Sequence, residues 1–113
     1  MGLYSYGRGP GMQIISRRVL RTYWESYSGS DQPALEQALM AWYREVKKAQ
    51  WNNANEVKRK YRNASVLKGG RVVFNICGNK FRLIAGVNYS VKVVYVKWVG
   101  THAAYDDIDA EEV

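Results

Sequence analysis

Between Ser16 and Lys48 the apolar residues recur at intervals of three and four, the period of helices with one buried face. Val19, Leu20, Tyr23, Trp24 and Tyr27 share one face of a first helix that Ser16 can cap, and "SGSD" ends it. Pro33, a residue favoured in a first turn, opens a second helix with the face Leu35, Ala38, Leu39, Trp42 and Val46. Its last turn carries Lys47 and Lys48, which suit the helix dipole. The polar stretch "WNNANEVKRKYRNAS" predicts one short helix capped by Asn53 or Asn55. From Arg71 the period becomes extended. "RVVFNIC", "KFRLIAGVNY" and "VKVVYVKWV" are rich in Val, Ile, Phe and Tyr and are separated by "GN" and "YS" turn signals, which predicts a three-stranded antiparallel meander. "QII" is a further candidate strand, and Thr101 can cap a last turn or short helix in "THAAYDDID".

Helices first and strands second indicate an α+β domain. The expected architecture is N-terminal helices packed on a twisted antiparallel sheet of three to four strands, with a short C-terminal helix or turn. Alternation along the strands is imperfect, so one sheet face is expected under the helices and the other partly open. Residues 1–11, "MGLYSYGRGPG", have four glycines, a proline and no apolar period. They read as a loose arm, either an upstream start or a cloning remnant, ahead of a single domain over residues 12–113.

A length of 113 residues allows one modest core and not two. Apolar residues at 47% and charged residues at 24% have the balance of a globular protein. No apolar run approaches the roughly 18 residues of a membrane span, and no signal peptide is apparent. With one cysteine, Cys77, no internal disulfide can form, which fits a reducing cytoplasm.

The net charge of +7 matters less than its placement. From Val57 to Tyr105 there is no Asp or Glu, yet the stretch holds ten Lys or Arg; the acids lie earlier or in the last eight residues. An acid-free basic segment generates a positive field that attracts polyanions, nucleic acid above all.

Several chemistries are unsupported. "KGGR" lacks the spacing of a phosphate loop, and one histidine with one cysteine cannot make a usual zinc site, so no metal or cofactor is expected. What remains is a basic set on the sheet. Lys80 and Arg82, two apart, would share a strand face; Lys97 lies on the neighbouring strand, and Lys68 and Arg71 at the start of the first. Such a face can bind phosphates, and an Arg can stabilise a developing phosphorane. RNA cleavage needs no metal when the 2′-OH attacks the adjacent phosphate with help from a base, an acid and cations. Imidazole ordinarily titrates near neutrality, which makes His102, the one histidine, a natural proton shuttle. Tyr105, three residues on, would share its face and can supply a proton, stack on a base or orient the substrate. The alternative for His102 is a cap or packing role.

The segments "IISRRVLRTYW", "AWYREVKKAQW", "RVVFNICGNKFRLIAGVNY" and "VYVKWVGTHAAYDDIDA" resemble the HigB toxins of the RelE superfamily. The resemblance runs from Met12 to about Ala110. It implies a RelE-like microbial ribonuclease fold and an mRNA interferase acting on translating ribosomes. It also implies a HigA-type helix-turn-helix antitoxin as partner, with operator DNA met only through that antitoxin. By position, Arg82 matches the family's strand Arg, His102 falls where relatives carry an Arg or His after the last strand, and Tyr105 matches a late aromatic. Lys80 and Lys97 are assigned by chemistry and strand parity. RelE itself uses Lys and Arg in place of an obvious His, so His102, Lys80 and Tyr105 all stand as candidates for the general base. The alternatives on the same fold are a ParE-like gyrase inhibitor and a non-catalytic RNA-binding protein.

Overall fold

A computed structural model describes residues 11–113; apart from Gly11, the expected N-terminal arm lies outside them. The elements run β1 (Gln13–Ile15), α1 (Arg17–Ser26), α2 (Gln32–Lys48), α3 (Ala54–Lys60), β2 (Ser65–Val66), a 3₁₀ turn (Lys68–Gly70), β3 (Arg71–Ile76), β4 (Phe81–Asn88), β5 (Val93–Thr101) and α4 (His102–Tyr105). The fold is α+β, as the order of periods indicates.

The helices form where the period places them. Leu20 and Trp24 of α1 and Leu35, Leu39, Trp42 and Val46 of α2 are buried. Val19 departs from the expected face and is 37% exposed. Ser16 takes the N-cap position with extended backbone but makes no side-chain cap. Asn53 does cap α3, its side chain accepting from the Glu56 N–H at 3.1 Å. Lys92, in the turn between β4 and β5, braces this layer: its Nζ donates to Trp51 O at 2.9 Å and to Asn52 Oδ1 at 2.6 Å.

The sheet is larger than expected and mixed. Its order is β1-β5-β4-β3-β2, with β3, β4 and β5 forming the antiparallel meander. β1 joins the far edge of β5 in parallel, Ile14 opposite Val94, and the two-residue β2 borders β3. Gly11 leads into β1 at a positive φ and lies so close to Lys47 O that a side chain would collide with that carbonyl. Val72, Phe74 and Ile76 of β3, with Phe81, Leu83, Ala85 and Val87 of β4, face the helices and join their core. Trp42 packs edge-on to Phe74 at 5.4 Å, and Tyr23 and Tyr27 pack edge-on to Phe81.

The opposite face is partly open, as expected, with Tyr95 and Lys97 exposed, but it also buries a small apolar patch. Val73 and Ile84 alternate with the core residues and so point away from the helices, yet they are only 3% and 0% exposed. A second cover lies there. Past α4 the chain continues through successive turns, and Ala110 O accepts from Arg71 Nη1 at 3.0 Å. The C-terminal segment therefore returns across the outer face to the start of β3.

Candidate functional site

Register brings several of the candidate side chains together on this outer face. Arg82 of β4 stands between Asn75 of β3 and Gly100 of β5. Its Nη1 donates to Asn79 O at 3.1 Å, which holds the guanidinium over the β3–β4 loop. The guanidinium carbon lies 5.7 Å from the centroid of the Tyr105 ring, within cation–π range. Tyr105 in turn lies 6.2 Å from the Trp98 ring, tilted at 54°. Trp98 can lie flat here because Gly100 has no side chain: a Cβ at Gly100 would stand 2.5 Å from Cζ2 of the indole. Arg82, Tyr105 and Trp98 thus form one continuous cationic and aromatic platform.

The position of α4 is set by two contacts. Thr101 Oγ1 accepts from the Ala104 N–H at 3.0 Å, the cap anticipated from its position, and His102 N donates to Lys80 O at 2.9 Å. His102 opens this one-turn helix with its side chain 46% exposed and Nε2 3.9 Å from Asp106 Oδ1. His102 and Tyr105 are therefore carried by the same turn beside Arg82.

Lys80 is placed differently from its expected strand position. β4 begins at Phe81, so Lys80 belongs to the preceding loop, and parity with Arg82 does not apply. Its ammonium lies 3.8 Å from the Asp31 carboxylate at the start of α2. Asp31 also accepts from the Tyr27 hydroxyl at 2.8 Å. That hydrogen bond, with Lys80 assisting, holds the Asp31 carboxyl below the usual carboxylate range and raises the Tyr27 phenol.

At the other end of the same face, Arg71, Gly86 and Tyr95 stand in register across β3, β4 and β5. With Lys97 and Asn88 they border a cleft of about 390 Å³. Lys97 occupies a β-bulge: Val96 pairs with Ala85 and Trp98 with Ile84, so Lys97 is the extra residue between them. Its Cε would be 3.2 Å from a Cβ at Gly86, which locates it over that glycine. Its ammonium is 5.5 Å from the Tyr95 ring. Lys68 is exposed in the 3₁₀ turn next to Gly69, which borders the cleft.

Of the expected set, Arg82, His102 and Tyr105 gather at one end of the face, while Arg71, Lys97 and the neighbouring Lys68 gather at the other. Trp98, Tyr95 and Asn75 belong to the face and were not anticipated; an aromatic between Lys97 and Gly100 is the only local sign of the platform. Among the described residues, Arg71, Arg82 and Lys97 form no ion pair, so their charge faces outward uncompensated. No cluster of three His, Cys, Asp or Glu side chains among those residues could hold a metal ion, and no helix is long and apolar enough to cross a membrane.

Residues 35–108 match the family model of the HigB toxin, described as the RelE-like toxic component of a toxin–antitoxin system. The match covers both ends of the basic face and all of α4. A comparison with curated proteins finds no match.

Proposed function

The chain belongs to the HigB toxin family, and from that premise we propose that it is a ribosome-associated endoribonuclease that cuts mRNA by attack of the 2′-OH. The observation that carries the reading is the Arg82 guanidinium held over Tyr105, with His102 on the same turn. Attack forms a bond from the 2′-oxygen to phosphorus and breaks the bond to the 5′-oxygen. The products are a 2′,3′-cyclic phosphate and a 5′-hydroxyl. One group takes the 2′ proton and another protonates the leaving 5′-oxygen. Arg82 supplies positive charge to the phosphorane, where a preorganised donor is worth most. His102 and Tyr105 flank that charge and handle the two protons, and Trp98 extends a surface on which a base can stack. Lys80, the third candidate base, has its ammonium beside Asp31 and touches this site only through the carbonyl that anchors His102. Lys68, Arg71 and Lys97 bind flanking phosphates.

Membership of a toxin–antitoxin family implies an antitoxin partner. In this reading that partner is of the HigA helix-turn-helix type, and operator DNA is reached only through it. The site of action is the cytoplasm, where ribosome and mRNA are the targets.

Induction without antitoxin, followed by primer extension on cellular mRNA, tests the reading. Cuts at ribosome-protected positions should appear with the unaltered chain and fade with Arg82→Ala, His102→Ala and Tyr105→Phe. Growth arrest with intact messages and double-strand-break signalling would instead support gyrase inhibition.

A further inference from the structure

Next to the Arg82 end of the face lies a separate opening of about 300 Å³, bounded by Lys60, Arg62, Asn63, Asn75 and Gly78. Strand register connects it to the site. Asn75 is the direct partner of Arg82, and it alternates with Phe74 and Ile76 of the core, so it points to the same outer face. The opening therefore begins about one strand spacing, roughly 5 Å, from the Arg82 backbone. Tyr61 and Ala64 complete its walls, which hydrogen bonds hold in place. Lys58 Nζ donates to Arg62 O at 2.8 Å and to Ala64 O at 2.7 Å, and the Tyr61 hydroxyl donates to Glu45 at 2.6 Å. Those contacts pin the backbone of the loop after α3, while Lys60, Arg62 and Asn63 stay exposed. On the opposite rim Gly78 has a φ of +66 and no atom within 4 Å of where a Cβ would be, which leaves that rim open.

We infer that this opening is the subsite for the RNA nucleotide adjoining the one that is cut. Lys60 and Arg62 hold its flanking phosphate, and the carboxamides of Asn63 and Asn75 meet its base edge. Two cations, one ending α3 and one on the braced loop after it, suit a phosphate. Carboxamides, each both donor and acceptor, suit the unpaired edge of a single-stranded base. The inference rests on the reading that Arg82 holds the scissile phosphate, and it extends the substrate path beyond the residues of the platform toward α3.

The test is binding of a fluorescently labelled single-stranded hexaribonucleotide to the full chain, by anisotropy across a range of salt. Lys60→Ala/Arg62→Ala should weaken binding roughly tenfold and make the slope of log K against log salt shallower by about 0.7, the contribution of one phosphate contact on a single strand. Lys47→Ala/Lys48→Ala removes the same charge at the end of α2 and should leave both quantities near their original values. Equal losses in the two double variants would overturn the subsite, because charge alone would then explain them. So would unchanged binding in Lys60→Ala/Arg62→Ala, or no measurable binding by the unaltered chain. Because the readout is binding, the subsite is judged independently of whether ribosome-bound mRNA is cut, and only the latter decides the nuclease reading.

Discussion

Gly100→Ala isolates the aromatic platform from the rest of the fold. The new methyl would stand 2.5 Å from Cζ2 and 3.1 Å from Cζ3 of Trp98. Carbon atoms rest at about 3.5 Å or more, so the indole must move by at least about 1 Å. It can do so because it is the end of a rotatable side chain and is only partly buried. The cost to stability is the Trp98–Tyr105 contact, about 0.5–1.5 kcal/mol. Gly100 has no left-handed backbone, so alanine also restricts the unfolded chain and returns about 0.4–1 kcal/mol. The net loss should therefore be within about 1 kcal/mol, a fall in Tm of no more than about 4–8 °C. Loss of a base-stacking surface is a larger effect, about 1–3 kcal/mol per base, or roughly 5- to 150-fold in affinity. Thermal unfolding and cleavage of ribosome-bound mRNA, measured on the same preparation, should show a small change in the first and at least a roughly fivefold loss in the second. Trp98→Ala should reproduce the loss and Trp98→Phe should restore part of it. Wild-type cleavage by both Gly100→Ala and Trp98→Ala would remove Trp98 from the site.

Three further outcomes follow from contacts elsewhere. The Asp31 carboxyl is held low by Tyr27 and Lys80, and a lowered folded pKa contributes stability above the unfolded value near 4 that is lost as pH falls through the folded one. Asp31→Ala should thus melt below the unaltered chain at pH 7, and the gap should close as the pH falls below about 4 in a series of thermal scans; a gap independent of pH would refute the linkage. Lys92→Met removes both ammonium hydrogen bonds to the Trp51–Asn52 turn while keeping the backbone. It should cost about 1–2 kcal/mol in urea unfolding without changing cleavage of ribosome-bound mRNA, marking Lys92 as a brace. Gly70→Ala places a Cβ 2.9 Å from the Val87 carbonyl at a φ of +76; neither backbone can yield, so unfolding midpoints should fall by more than about 1 kcal/mol in equivalent stability.

What could be read from the sequence was what local chemistry decides. The apolar period gives α1 and α2, the Val- and Ile-rich runs give β3 to β5, and Asn53 and Thr101 act as the caps their positions suggest. Arg82 and Tyr105 come together because the last strand leads directly into α4. The misplacements have physical causes. Lys80 and Arg82 have strand spacing, but the four residues from Cys77 to Lys80 form the connecting loop, with Cys77 and Gly78 both at positive φ. Lys97 reaches the expected face although it sits on a bulge, which breaks the alternation from which strand parity is read. The parallel seat of β1 on β5 spans almost the whole domain in sequence, and no local pattern encodes such a pairing.

The same reasoning explains the imperfect alternation of the strands, which suggested a partly open outer face. Val73 and Ile84 are apolar because that face also buries a small core, and the C-terminal segment returning to Arg71 lies over it. An acidic cover on a basic face would normally neutralise it, but the geometry avoids this. Arg71 meets the backbone carbonyl of Ala110 rather than a carboxylate, and the one carboxylate of the segment in an ion pair is Asp106, beside His102. A carbonyl accepts from one of the guanidinium's five N–H groups and leaves its full charge in place. The chain can therefore close its outer core with an acidic segment and still present Arg71, Arg82 and Lys97 as uncompensated cations to a polyanion.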